Sequence, residues 1–299
     1  MRLVVVRDPM VHGVVDRSPE ASRAVFLVVV LFVLTACGHD TAPRASSASS
    51  AATTSTTDTT TTVVPTTPAT VPTTTEGAAR LAGKVIVLDP GHNEGNSRHG
   101  SEINQQVDVG NGSKACDTTG TAANDGYSEA SFNTDVANRV ATLLRDAGAT
   151  VVLTRDASTA WGPCITERAA IGNEARADAA ISIHADGGPP DGRGFHVIEP
   201  LLVAGHNDGI IEPSARLALD VRDAFRAATD LPFSNYLGHD GIDARDDLGG
   251  LNLSTVPKVF IETGNMRNAT DAALLEDAAF REQIAVGIAD GLTRFVTAT

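Results

Sequence analysis

Short apolar runs alternate with stretches of helical periodicity from Lys84 to the C-terminus. "KVIVLD" (84–89) has the length and continuity of a buried strand. In "EASFNTDVANRVATLLRDAG" (129–148), Phe132, Val136, Val140, Leu143 and Leu144 recur at helical spacing, and Gly148 supplies a stop. "ATVVLTR" (149–155) predicts a second strand, and residues 165–177 a second helix. "AAISIHAD" (179–186) and "GFHVIEP" (194–200) predict two more strands, 213–229 a long amphipathic helix, and "PKVFIETG" (257–264) a further strand. Helical segments follow from Asp271 onward. Strands alternating with helices predict a single α/β domain around a mostly parallel sheet. In such sheets functional groups gather beyond the carboxyl ends of the strands.

The pattern before Lys84 is different. Ala24 to Leu34 reads "AVFLVVVLFVL", shorter than the roughly 20 residues of a membrane-spanning helix. Arg17 and Arg23 precede it, as in an export signal. "LTAC" (34–37) then resembles the lipobox of bacterial lipoproteins, which implies removal of 1–36 and lipidation of Cys37. The alternatives are an ordinary signal peptide or an uncleaved anchor. From Thr41 to about Gly77 the chain is mostly Ser, Thr, Ala and Pro. Such a tract buries too little apolar surface to offset its ordering entropy. Residues 37–79 are therefore expected to form a disordered stalk, and 80–299 the folded domain.

Composition narrows the chemistry. A net charge of −14 offers no basic face for nucleic acid. The three cysteines, Cys37, Cys116 and Cys164, form no CxxC, which excludes a Cys-rich zinc site. With Cys37 committed to lipid in an exported chain, Cys116 and Cys164 are expected to form a disulfide. Two free buried thiols are the alternative.

Four side chains fall at matching ends of the predicted elements. His92 follows strand "KVIVLD" on a Pro-Gly turn, His184 sits at the end of the third strand in "SIHAD", Glu262 at the end of a late strand in "FIETG", and Glu129 opens the first long helix. Two histidines and a carboxylate are a catalytic zinc set that leaves a position for water. A second carboxylate can carry the water's proton to a leaving amine. His92, Glu129 and His184 are thus the expected ligands of one zinc ion, and Glu262 the acid/base. Each also has a plainer reading: a solvated histidine, a glutamate favoured at a helix N-terminus, or a Glu262–Arg168 ion pair. His99, His206 and His239 lie in predicted loops, and His196 alternates within a strand, where a structural role is expected. Ser128 is placed to cap the helix that Glu129 opens. No G-x-S-x-G elbow and no HExxH helix are present.

"KVIVLDPGHNEG", "SEASFN", "TERAAIGN", "AISIHADG" and "VFIETGNMRN" together resemble the zinc-dependent N-acetylmuramoyl-L-alanine amidases of bacterial cell walls. The resemblance runs from about Gly83 to the C-terminus, with the motifs in family order. It implies a six-stranded sheet flanked by helices, of phosphorylase/hydrolase-like type. It also implies zinc binding by His92, Glu129 and His184, and catalysis by Glu262. The implied substrate is the amide joining the lactyl group of muramic acid to L-alanine in peptidoglycan or muropeptides. The implied location is the outer face of the cytoplasmic membrane, held by the Cys37 lipid. Asp186, a candidate substrate contact, stands where the family often has Asn, a departure that bears on a supporting or substrate contact and not on the metal. Arg168 is either a substrate contact or an ion-pair tie between helix and loop. The stretch between His92 and Glu129 is longer than is common, and its lack of periodicity predicts a loop beside the site. Two other functions are compatible with the residues: a non-catalytic wall-binding lipoprotein, and a zinc peptidase or deacetylase acting on wall components.

Overall fold

The computed structural model describes residues 80–298. The signal segment, the lipobox with Cys37, and the stalk lie outside them. In chain order the elements are β1 (Val85–Pro90), α1 (Gly100–Ile103), β2 (Gln106–Asp108), β3 (Ser113–Ala115), α2 (Glu129–Asp146), β4 (Thr150–Leu153) and α3 (Ile165–Glu174). Then come β5 (Ala179–Asp186), β6 (His196–Pro200), α4 (Ile211–Thr229), β7 (Ile242–Arg245), α5 (Gly249–Asn252), β8 (Lys258–Asn265), α6 (Ala269–Glu276) and α7 (Ala278–Thr297).

Six strands form one sheet in the order β4-β1-β5-β8-β6-β7. β4, β1, β5 and β8 are mutually parallel, while β6 runs antiparallel to β8 and carries β7 parallel to itself. The reversal puts the N-terminal end of β6 at the same edge as the carboxyl ends of β1, β5 and β8. Among the described residues, no helix is long and apolar enough to cross a membrane.

Alternation within the strands sorts the two faces. Leu88, Ile181, Ile183, Val197, Val259 and Ile261 belong to one large core with Phe132, Val136 and Val140 of α2, Leu217 and Val221 of α4, and Ile284 and Ile288 of α7. The opposite face keeps only a small apolar cluster, Val87, Ala180, Ala177 and Val256. Above that cluster the strands present Asp89, Ser182, His184, Lys258, Phe260 and Glu262. This is the face that becomes chemical.

Two features depart from the sequence pattern. The stretch between His92 and Glu129 is not a bare loop: it holds α1 and the antiparallel hairpin β2–β3. β7 is an added edge strand whose sequence, Ile-Asp-Ala-Arg, carries too little apolar alternation to announce itself. The hairpin strands are three residues each, too short for period-2 alternation to register. Ser128 does cap α2, its hydroxyl accepting from the Ser131 amide. Cys116 and Cys164 form a disulfide, tying the end of the hairpin to the entrance of α3.

Candidate active site

The Pro90-Gly91-His92 turn at the end of β1 is gripped by two buried arginines. Arg155 donates to the carbonyls of Pro90 (2.9 Å) and Gly91 (2.8 Å). Arg168 donates to those of Pro90 (2.8 Å) and His92 (2.9 Å). Asn133 of α2 also donates to the Gly91 carbonyl at 3.1 Å. His92 sits at φ 57°, a region that a side-chain-bearing residue holds only where its surroundings impose it. The arginine clamp is that imposition. Gly91 is needed for contact: a Cβ there would overlap the His184 ring. A Cβ on Gly120, at φ +74°, would crowd His92 and the Glu129 carboxylate. The glycines let the backbone close around the three polar side chains.

Those three converge. His184 Nδ1 lies 2.8 Å and His92 Nε2 3.2 Å from Oε1 of Glu129, and one ligand atom from each residue lies within 4.8 Å of the others. The Glu129 Oε2 accepts the Thr121 amide at 2.9 Å. The His184 ring is stacked on Phe260, centroids 3.9 Å apart, and meets His92 edge-on at 4.8 Å. His92 Nδ1 faces the carbonyl and hydroxyl oxygens of Thr118, both at 3.1 Å, with Asp117 at 3.7 Å. That bond assigns the ring proton to Nδ1. A neutral His92 then presents its Nε2 lone pair to a carboxylate oxygen, two acceptors face to face. A positive charge at their meeting point resolves the conflict. In the metal-free protein that charge is a proton: burial opposes it, but Glu129 and Asp117 outweigh burial and lift the His92 pKa to about 9. The reciprocal effect holds Glu129 well below the carboxylate range: burial raises it, and His92 and His184 together outweigh burial. Burial lowers the His184 pKa. A His₂Glu donor set with a built-in demand for a cation fits a zinc ion.

Beneath the turn lies a buried ion network. Asp89 accepts from Thr154 (2.7 Å), Arg168 (2.9 Å), Ser182 (3.0 Å) and Lys258 (2.9 Å). Burial pushes the Asp89 pKa up, but Lys258 and Arg168 more than reverse this and hold it far below the usual range. Arg168 also donates to Asp117 at 3.1 Å and to the Pro163 carbonyl at 2.9 Å. Its guanidinium is 4 % exposed and its donors are all engaged by the framework. Of the two roles open to Arg168, the structure displays the tie. The same side chain also lines the cavity that opens beside His92 and His184.

Glu262 pairs in register with His184 across β5–β8 and with His196 across β6–β8. It does not pair with Arg168. It is half-buried, its Oε2 is buried without a hydrogen-bond partner among the described residues, and burial, Glu129 and Asp186 together raise its pKa well above the usual value. Asp186 is half-buried, with Oδ2 accepting the Tyr236 hydroxyl at 2.9 Å. His99 stacks on Trp161 and pairs with Glu102, the exposed His239 pairs with Asp240, and His206 packs by Gly110. None of the three joins the cluster. A cavity of about 290 Å³ opens beside His92 and His184, lined among others by Ile165, Leu248, Lys258 and Phe260.

Sequence reasoning did not single out Asp89, Asp117, Thr118, Arg155, Tyr236 or Lys258. Two signals were available. Lys258 is one of three lysines in the chain and opens an apolar strand; Asp89 interrupts another. A charge inside a buried strand demands a partner. Nothing local marks Asp117 or Tyr236.

The sheet, the strand-end histidines and the converging carboxylate define an α/β domain with a candidate metal centre at the carboxyl edge of its sheet. Comparison with known proteins makes this specific. Residues 86–294 match the Amidase_3 family, described as N-acetylmuramoyl-L-alanine amidase, and the chain belongs to that family. It is 40 % identical over 224 residues to the N-acetylmuramoyl-L-alanine amidase Rv3717 of Mycobacterium tuberculosis, spanning 73 % of this chain and 88 % of that one. The crystal structure of the N-acetylmuramyl-L-alanine amidase Ami1 from Mycobacterium smegmatis superposes with a TM-score of 0.69 at 40 % identity, over 73 % of this chain and 99 % of that one. The apo form of Ami1 from Mycobacterium abscessus gives a TM-score of 0.67 at 40 % identity, over 72 % and 99 %.

Proposed function

We propose that this chain is a zinc-dependent amidase that hydrolyses the bond between the lactyl group of muramic acid and L-alanine in peptidoglycan stem peptides. The observation that carries the reading is the convergence of His92, Glu129 and His184 within 4.8 Å, next to the register partner Glu262. Zinc, when bound, supplies a Lewis acid that polarises an amide carbonyl and acidifies water near neutrality. The chain supplies the rest. His92, Glu129 and His184 are the proposed ligands, one zinc per chain. Thr118 keeps the His92 proton on Nδ1 and its Nε2 lone pair inward. Glu262 takes the proton of the attacking water and delivers it to the departing alanine nitrogen, as its raised pKa suits. The cavity beside the histidines receives part of the substrate flanking the amide. Asp186, half-buried and steadied by Tyr236, is proposed as a substrate contact at the Glu262 side.

Action on wall peptidoglycan places the domain outside the cytoplasmic membrane, with the Cys37 lipid as its anchor in this reading. Cys37→Ser is expected to release the protein from membranes, and persistent membrane association would point to an uncleaved helix instead. The enzymatic reading is tested by metal analysis of the purified protein joined to mass spectrometry of digested muropeptides. One zinc per chain, with free stem peptides and lactyl-terminated sugars, is expected. Cleavage within the peptide, or deacetylated sugars, would overturn it.

A further inference from the structure

His196 opens β6 and is 0 % exposed, and neither of its ring nitrogens has a hydrogen-bond partner among the described residues. A position that only fills space is served better by an apolar ring, because a buried imidazole without partners forfeits its hydration. The register says what stands opposite. His196 pairs with Glu262 across the antiparallel β6–β8 ladder, so the two side chains leave the sheet on one face. Oε2 of Glu262 is likewise buried and without a partner. Five buried side-chain atoms of the described residues lack hydrogen bonds, and three of the five belong to this pair. Asp186, Asp243 and Arg245 stand near His196; Asp186 accepts from Tyr236 and Arg245 donates to Asp247, and none of the three bonds either ring nitrogen. The Tyr236 ring stands edge-on to His196 at 6.3 Å, but its hydroxyl is committed to Asp186. Phe260, one step back on the same face of β8, is stacked on His184. A donor and an acceptor thus face each other across two strands with no other use.

We propose that His196 is the positioning residue for Glu262: in the working enzyme an imidazole N–H donates to Oε2, leaving Oε1 to face the reacting amide. No proton changes hands in this contact; it fixes the plane of the carboxyl group. The proposal rests on the reading of Glu262 as proton carrier. Misplacing a reacting group by about 1 Å can cost about 10²-fold in rate, which sets the scale.

The test uses the full chain as wild type, His196→Phe, His196→Gln, Glu262→Gln, and the double variant H196F/E262Q. H196F is expected to lower kcat about ten- to a hundredfold, with KM and bound zinc unchanged. H196Q restores an N–H and should recover kcat to within a few fold. In the E262Q background H196F should add nothing. A readout free of turnover is thermal unfolding of the metal-stripped proteins, where the Tm change caused by H196F should differ between the wild-type and E262Q backgrounds. Unchanged kcat in H196F, equal losses in H196F and H196Q, or additive losses in the double variant would each overturn the proposal alone. Near-normal turnover of E262Q by itself removes the Glu262 reading and the proposal with it. If H196F fails to fold, His196→Met serves as the donor-free variant under the same criteria.

Discussion

The two faces of the central sheet are built from the same strands and do different work. Toward α2, α4 and α7 the strands present Leu88, Ile181, Ile183, Val259 and Ile261 to a dry aliphatic core. Toward α3 the neighbouring positions are Asp89, Ser182, His184, Phe260 and Glu262, joined by Arg168 and Lys258 in a buried network of ions and hydrogen bonds. Burial against hydrocarbon is non-directional and tolerates exchange of similar shapes. Buried ions contribute little net stability but are costly to break, because a lone charge is left behind. One face therefore supplies stability. The other spends some of it to hold a strained turn and a histidine pair in fixed places.

The comparison predicts a steep contrast between adjacent residues of β8. Glu262→Gln should keep its zinc and lose turnover by at least about 10²–10⁴-fold. Bound-metal analysis beside muropeptide hydrolysis reads both quantities, and near-normal turnover would mean another group moves the proton. Asp89→Asn should come next. It leaves Lys258 and Arg168 short of their buried counter-charge, an expected cost of about 3–5 kcal/mol by denaturant unfolding. Because Arg168 also holds the His92 carbonyl, zinc affinity should weaken with it. A variant as stable as wild type would show that the network is replaceable.

Ile261→Val sharpens the contrast from the other side. It should cost about 0.5–1.5 kcal/mol, with zinc content and kcat unaltered; a large fall in kcat would dissolve the division between faces. The smallest effect is in pH. In metal-stripped protein the folded state favours protonated Glu262 through burial and the nearby Glu129 and Asp186 charges. A carboxyl whose folded pKa is raised contributes stability that is full below its unfolded pKa and is lost as pH rises from there through the folded pKa. Stability of the stripped wild type should therefore decline relative to E262Q above about pH 4.3, the ordinary glutamate value. The Tm gap between them should widen toward alkaline pH. A gap independent of pH would contradict the raised pKa.

What was legible in the chain follows from the same division. The dry face writes period-2 alternation into β5 and β8 and helical spacing into α2, so these elements could be read directly, whereas β7 and the β2–β3 hairpin could not. The strand-end positions of His92, His184 and Glu262, and of Glu129 at a helix start, followed from those elements. The support of the site was not legible, because it is assembled across long separations. Asp117 meets Arg168 and His92 only once the chain has folded back. The role of His196 hangs on the reversal of β6, which no local pattern encodes. Arg168 was read as open between two uses because a helical arginine looks the same whether it faces solvent or a buried Asp89.

The most direct test of the division is zinc stoichiometry in His184→Ala, measured with turnover on the same reconstituted samples. The wild type should hold one zinc per chain and hydrolyse the lactyl–alanine bond. The variant should hold none and be inactive while unfolding cooperatively near the wild-type metal-free Tm, since the dry face is untouched. One zinc retained per chain in His184→Ala would contradict the assignment of this cluster as the metal centre.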